Sequence, residues 1–127
     1  MSLLKLSLLN ALAILAIAPV YTYADTCPDM SSSGALPSGW RLDPGSKLSA
    51  GTFHQVTWVK SEGNKIVCSY NTGFNSYGLI KFPYKPDTNQ GNWQSTSGGT
   101  SSPCDPNRHG SYNICTCSTG IDNCVFN

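Results

Sequence analysis

Two histidines carry the side chains best suited to acid–base chemistry, because an imidazole titrates near neutral pH. They are His54, in a run of β-branched and aromatic residues, and His109, in a Gly- and Pro-rich stretch directly after Arg108. The two histidines, Arg108 and Glu62 together offer the groups that a metal-free ribonuclease requires. These are one base, one acid and a cation that stabilises the phosphate. A small ribonuclease-like hydrolase with catalytic residues His54, His109, Arg108 and Glu62 is therefore the alternative function.

The charge and the motif content of the sequence argue against a nucleic-acid enzyme. After the leader described below, seven Lys and Arg residues balance seven Asp and Glu residues, whereas nucleic-acid binders usually carry a basic excess. The sequence contains no nucleophile elbow, zinc-protease helix motif, Walker loop or dinucleotide fingerprint. Each histidine also has a plainer interpretation, His54 as a sheet-surface residue and His109 as part of a solvated loop.

Aromatic side chains offer a second kind of chemistry, which is stacking on a sugar or on a protein surface. Tyr and Trp are enriched in binding sites because they provide rigid contact area. We assign Trp40 and Trp58 to the core, because the chain has few aliphatic residues after the leader. Trp93 fits a core role and a binding role equally well. The predicted binding platform comprises Tyr70, Tyr77, Tyr84, Trp93 and Tyr112.

Six cysteines indicate how such a small domain is stabilised, and they are Cys27, Cys68, Cys104, Cys115, Cys117 and Cys124. All follow the leader, and their spacing differs from that of structural zinc sites, so we predict three disulfides and no metal. The sequence leaves the connectivity open but favours Cys27 with Cys68. Cys115 and Cys117 share one face of a strand, so each is expected to pair with another C-terminal cysteine.

The first 24 residues have the organisation of a secretory leader. Lys5 supplies a positive charge, residues 6–18 are almost entirely apolar, and small residues precede the cleavage expected after Ala24. The apolar stretch is shorter than the roughly 20 residues that a membrane span needs, so a retained anchor is the less favoured alternative. We predict a signal peptide at 1–24 and a single domain at 25–127, secreted to the periplasm or the medium without a membrane anchor.

The elements that must position these residues are short strands separated by turns. Residues 52–60 and 65–71 are rich in β-branched and aromatic residues and flank a turn signal at 61–64, which predicts a β-hairpin. All 12 glycines and seven of the eight prolines follow the leader. This pattern predicts an all-β domain, a small antiparallel sandwich or barrel stapled by disulfides. We expect further strands at 79–82, 92–96 and 111–117, irregular chain at 27–44 and 97–107, and a docked C-terminus at Val125–Phe126.

Several short motifs follow one another along the mature chain. They are Cys-Pro at 27–28, Gly-Trp at 39–40, Val-Cys-x-Tyr at 67–70, Gly-Asn-Trp at 91–93 and a closing Cys-x-Phe at 124–126. This order resembles a family of short exported bacterial proteins of unknown function. Ser69, Val125 and the extra cysteines depart from the family's pattern. The resemblance implies a bacterial, β-rich exported module and implies no activity.

The leading functional hypothesis is a non-enzymatic binding module that acts outside the cytoplasm, on a host or competitor surface. Its expected partner is a protein or a glycan, and nucleic acid is not expected. We expect no cofactor and a monomeric state. A contiguous exposed aromatic patch would favour this hypothesis, and two adjacent histidines would favour the hydrolase.

Overall fold

A computed structural model describes residues 24–89, 92–97, 100–107 and 113–127. Within these ranges, seven strands form one antiparallel sheet in the order β1-β4-β3-β2-β7-β5-β6. The strands are β1 (Arg41–Leu42), β2 (Thr52–Val59), β3 (Lys65–Asn71), β4 (Ser76–Lys81), β5 (Gln94–Ser97), β6 (Thr100–Pro103) and β7 (Ile114–Cys117). The all-β antiparallel class is confirmed. The sheet is open, with β1 and β6 at its edges, so the sandwich or barrel detail of the prediction is not confirmed.

The predicted hairpin of β2 and β3 lies at the centre of the sheet. Its strands pair from Thr52 opposite Asn71 to Val59 opposite Lys65. The connection is a single 3-10 turn at Lys60–Glu62, followed by Gly63 and Asn64 with φ angles of 77° and 56°. Glycine adopts this left-handed backbone without steric cost, and asparagine tolerates it better than most residues. The turn signal in the sequence therefore corresponds to the turn in the structure.

One face of the sheet carries the core. Alternate residues of β3 are fully buried on that face, with Ile66, Cys68 and Tyr70 each 0% exposed. Trp58 on β2 is also 0% exposed, and Trp40 is 8% exposed, so both tryptophans occupy the core as predicted. Since each buried aromatic removes a large apolar area from water, a few such side chains supply much of a core that has few aliphatic residues.

The C-terminus is docked against the start of the domain, as the sequence predicts. Phe126 is fully buried and exchanges two backbone hydrogen bonds with Asp25, at 2.8 and 2.9 Å. The Asp25 carboxylate accepts a hydrogen bond from Lys81 Nζ at 2.9 Å, and that ammonium lies 5.2 Å from the ring centroid of Trp40 and 5.1 Å from that of Tyr84. The first described residues are thus fixed to the sheet by backbone, ionic and cation–π contacts.

Three disulfides join the six cysteines, as predicted. Cys27 pairs with Cys68 and links the N-terminal segment to β3. The other two bonds are Cys104–Cys115 and Cys117–Cys124, which confirms that the two cysteines of β7 do not pair with each other. All six are at most 6% exposed and lie in the core cluster. The bonds therefore restrain the chain from within the hydrophobic interior.

Two segments differ from the prediction of irregular chain. Thr100–Pro103 forms β6, which pairs with β5 along its whole length, and Arg41–Leu42 forms β1 against β4. Neither segment has the apolar alternation that marks a half-buried strand. Each is a strand because a neighbouring strand offers unpaired backbone groups, which are costly to leave unsatisfied.

The described part of the chain contains no helix long and apolar enough to cross a membrane. The predicted signal peptide lies almost wholly in residues 1–23, outside the described residues.

Candidate functional site

The face of the sheet opposite the core carries a shallow polar depression of about 380 Å³. We call it the outer groove and define it by six polar residues that line it: Asp43, Ser46, His54, Gln55, Ser69 and Asn71. Ser69 and Asn71 alternate along β3 with Cys68 and Tyr70, which point into the core, so strand alternation places them on this outer face. The groove is therefore a consequence of the same alternation that builds the core.

A β-bulge brings His54 to the outer groove. Phe53 pairs with Tyr70 and Gln55 pairs with Ser69, so His54 is the extra residue on β2. Phe53 packs edge-to-face on Tyr70, with ring centroids 6.3 Å apart, on the core side. A bulge redirects side chains at the point of insertion. As a result His54 and Gln55, which are adjacent in sequence, both line the groove.

The segment after β1 forms one wall of the groove and is hydrogen-bonded to Gly78 of β4. The Asp43 N–H donates a hydrogen bond to the Gly78 carbonyl at 2.9 Å, and the Ser46 N–H donates to the Asp43 carbonyl at 3.0 Å. A β-carbon at position 78 would lie 3.1 Å from Val67 Cγ1 and 3.4 Å from Asp43 Cβ. A side chain there would crowd Val67 and would meet the Asp43 side chain at ordinary contact distance, so a glycine leaves the most room for Val67 at this point of the groove.

The turn between β3 and β4 presents an aromatic ring to solvent. Phe74 is 98% exposed in the turn Thr72–Asn75, which we call the hairpin tip. Thr72 organises this turn: its N–H and hydroxyl donate to the Asn75 carbonyl at 2.7 and 2.9 Å, and its Oγ1 accepts from the Asn75 N–H at 2.9 Å. Phe74 N–H also donates to Thr72 Oγ1, at 3.3 Å. The exposed ring thus stands on a hydrogen-bonded turn.

The hairpin tip and the outer groove are adjacent. Asn71 and Ser76 are the last cross-strand pair before the tip, and both line the groove. A second shallow depression, of about 410 Å³, is lined by Asn71, Thr72 and Gly73 beside the same tip. The outer groove, the second depression and the exposed ring therefore lie at the same end of the central hairpin.

Three members of the predicted aromatic platform are buried, so that part of the prediction is wrong. Tyr70, Tyr77 and Trp93 are 0, 3 and 2% exposed. The Tyr70 hydroxyl donates to the Pro28 carbonyl at 2.6 Å, and Trp93 Nε1 donates to the Val125 carbonyl at 2.9 Å. These aromatics fill the core because the chain offers few aliphatic residues for that purpose.

The remaining two platform residues have different outcomes. Tyr84 is partly buried and packs edge-to-face on Phe126, with ring centroids 5.6 Å apart. Tyr112 lies outside the described residues.

Burial also sets the ionisation of the two core tyrosines. Desolvation raises the pKa of Tyr70 far above its usual 10.0, with a smaller contribution from the neighbouring Tyr77. Desolvation raises the pKa of Tyr77 in the same direction. Their rings stack with centroids 5.2 Å apart. Both phenols are neutral at physiological pH and serve as core residues.

The predicted hydrolase site is not assembled by the residues that the structure describes. His54 lies near the start of β2, whereas Glu62 follows the end of that strand. The five residue-to-residue steps from His54 to Val59 alone extend about 16 Å, so His54 and Glu62 cannot share one substrate phosphate. Glu62 instead forms an ion pair with Lys65 at 2.6 Å. Arg108 and His109 lie outside the described residues.

The sequence reasoning missed Phe74 and Asp43. Both stand among turn-forming residues, Phe74 between Gly73 and Asn75 and Asp43 before Pro44, where polar composition indicates only a loop. An aromatic residue inside an otherwise polar turn was the available signal for Phe74. Within the described ranges, no group of three or more His, Cys, Asp or Glu side chains is placed to hold a metal ion.

No family model, curated protein or solved structure matches this chain. The resemblance to a family of short exported bacterial proteins therefore stays a prediction. The geometry of the hairpin tip and the outer groove is the basis for the functional proposal that follows.

Proposed function

We propose that this protein is a secreted, non-enzymatic binding module that contacts a protein or glycan partner through the hairpin tip and the outer groove. The single observation that carries the proposal is the 98% exposure of Phe74 on a turn held by the hydrogen bonds of Thr72. A fully solvated phenyl ring contributes nothing to the core. Its placement at the end of a hairpin is the arrangement of a contact residue rather than of a folding residue.

The energetics favour Phe74 as an anchor. Complete burial of a phenylalanine side chain contributes about 1.5–3 kcal/mol, or roughly one to two powers of ten in affinity. Binding also costs conformational entropy when a loop must become ordered. Because the Thr72–Asn75 turn is already hydrogen-bonded, little of that cost arises on association. Most of the burial free energy is therefore retained in the complex.

Secretion is supported by two independent features. The predicted leader at 1–24 has the charged, apolar and small-residue order of a signal peptide. All six cysteines are in disulfides, which persist in oxidising compartments outside the cytoplasm. A role on a host or competitor surface is the corresponding biological setting.

The test compares two exposed phenylalanines that flank β4 at its opposite ends. The oxidised domain is screened against immobilised glycans and cell-surface proteins. For each glycan or protein that binds, the affinity is then measured for the wild type, Phe74→Ala and Phe82→Ala. Phe82 is 44% exposed and directly follows β4, at the far end from the tip. We expect Phe74→Ala to weaken binding at least tenfold, with Phe82→Ala close to wild type and both variants folded by circular dichroism. Equal affinities for the wild type and Phe74→Ala, or no positive in the screen, would contradict the proposal.

A further inference from the structure

We propose that the outer groove is a binding site for a neutral saccharide, an inference that rests on the proposed binding function and specifies its ligand class. Four observations carry it: the chemistry of the lining, the lack of Lys and Arg among the described residues that line the groove, the unpaired state of its polar groups and its position beside Phe74.

The side chains that line the groove are suited to hydrogen bonds with the hydroxyl groups of a ligand. The groove offers amides from Gln55 and Asn71, a hydroxyl from Ser69, the imidazole of His54 and the carboxylate of Asp43. Amides and hydroxyls each donate and accept hydrogen bonds, and the carboxylate accepts up to four. A sugar hydroxyl likewise donates and accepts. Such a mixed set matches a polyhydroxylated ligand better than an apolar one, since Val67 is the aliphatic residue of the lining.

The charge of the lining disfavours anionic ligands. Among the described residues that line the groove there is no Lys or Arg, while Asp43 contributes a negative charge. Phosphate and sulfate sites are usually built from Arg, Lys or converging backbone N–H groups. A sulfated or phosphorylated ligand would meet the Asp43 carboxylate without a compensating cation. The lining therefore favours a saccharide without sulfate or phosphate groups.

The polar side chains of the groove are not used within the fold. Across the described ranges, no hydrogen bond or ion pair involves the side chains of Asp43, His54, Gln55, Ser69 or Asn71. Their donors and acceptors face a concave surface of about 380 Å³, within the size range of small-ligand sites. Each is thus free to pair with a ligand without breaking an internal contact.

Phe74 completes the site from the side of the hairpin tip. Sugars present an apolar C–H face as well as hydroxyls, and exposed aromatic rings pack against such faces. The ring belongs to the turn that starts directly after Asn71 and ends directly before Ser76, both of which line the groove. A chain of two or more sugars that leaves the groove in this direction would reach the ring. Short oligosaccharides are therefore the better ligands than monosaccharides.

The experiment titrates the oxidised protein with short neutral cello-, chito-, malto- and manno-oligosaccharides, and with a heparin-derived oligosaccharide as the anionic probe. Binding is followed by calorimetry and by the shifts of backbone amide resonances. We expect at least one neutral series to bind, with the largest shifts in β3 around Ser69 and Asn71 and little response to the anionic probe.

Two variants localise the site. Ser69→Leu fills the floor of the groove, and we expect it to lower the affinity at least tenfold. Thr57→Leu adds the same side chain on the outer face of β2 but outside the groove lining, so it is expected to bind like the wild type. Asp43→Asn keeps the shape of the wall and tests the carboxylate, with a severalfold loss expected.

The outcomes separate this inference from the proposed function. If a protein partner binds through Phe74 while no neutral oligosaccharide binds, the saccharide site is refuted and the binding module stands. Binding of the anionic probe alone, or equal affinities for Ser69→Leu and Thr57→Leu, also refutes the saccharide site. If neither oligosaccharides nor surface proteins bind the wild type, both proposals fail.

Discussion

The disulfide Cys27–Cys68 is expected to contribute more to stability than either of the other two. It closes a separation of 41 residues, against 11 for Cys104–Cys115 and 7 for Cys117–Cys124. The chain-entropy relation gives about 4 kcal/mol for the longest loop, about 2.7 kcal/mol for the intermediate one and about 2.4 kcal/mol for the shortest. The stabilisation arises because a longer cross-linked loop removes more conformations from the unfolded chain.

The perturbation is the paired replacement of each bonded cysteine couple by alanine. The Cys27–Cys68 and Cys117–Cys124 pairs are both at most 3% exposed, so the packing lost with two buried sulfur atoms is similar in the two variants. The difference between these variants then reports loop closure and is expected to be about 1.5 kcal/mol.

The assay is urea unfolding of the oxidised variants at one pH and temperature, followed by tryptophan fluorescence and circular dichroism. The free energy of unfolding should fall most for Cys27→Ala with Cys68→Ala and least for Cys117→Ala with Cys124→Ala. Equal losses, or a larger loss for the shortest loop, would refute an entropic origin and point to strain or packing in the folded state instead.

Two further predictions concern ionisable groups of the core region. Because burial raises the pKa of Tyr70 and Tyr77 above the usual 10.0, their contribution to stability is fully present below pH 10 and is lost as the pH rises toward their folded-state values. Absorbance at 295 nm should show these two phenolates forming together with unfolding, and their ionisation in the folded protein near pH 10 would contradict the burial. Partial burial alone would lower the pKa of Lys81, but the hydrogen bond and charge of Asp25 outweigh it and raise the pKa. Lys81→Met should cost about 1 kcal/mol, since the ion pair is partly exposed and the cation–π contacts to Trp40 add to it. Faster amide exchange at Asp25 and Phe126 would accompany that loss, and unchanged exchange there would show that the backbone bonds alone hold the terminus.

The central hairpin illustrates what local sequence can predict. The β2–β3 hairpin joins two runs with strong strand propensity through a turn whose Gly63 and Asn64 adopt positive φ angles. All of this information lies within about 20 consecutive residues. The buried face of β3 follows from the same alternation, because Ile66, Cys68 and Tyr70 recur at every second position.

The edge strands illustrate what local sequence cannot predict. Thr100–Pro103 has no apolar period, and it becomes β6 through its pairing with β5. Arg41–Leu42 likewise has no sequence pattern typical of a strand. It pairs with β4, nearly 40 residues later in the chain. Strand formation at such positions depends on a partner that is distant in sequence.

In the candidate site, too, local sequence predicts some features and not others. Strand alternation counted back from Val56 and Trp58 would place His54 on the core face, but the bulge between Phe53 and Gln55 turns it to the outer groove. The aromatic prediction is wrong for Tyr70, Tyr77 and Trp93 for a related reason. Composition shows that Tyr70, Trp93 and Phe74 are present, but it does not show which rings fill the interior and which one remains in solvent.

The sequence by itself therefore determined the all-β class, the central hairpin, the use of all six cysteines as disulfides and the preferred pairing of Cys27 with Cys68. These follow from residue type, period and spacing, which are local properties of the chain. Only the tertiary structure decided that Asp43, His54 and Asn71 line one groove and that Phe74 stands exposed beside it. Their proximity depends on strand register, a bulge and the hydrogen bond between Asp43 and Gly78, which are set by contacts between segments far apart in sequence.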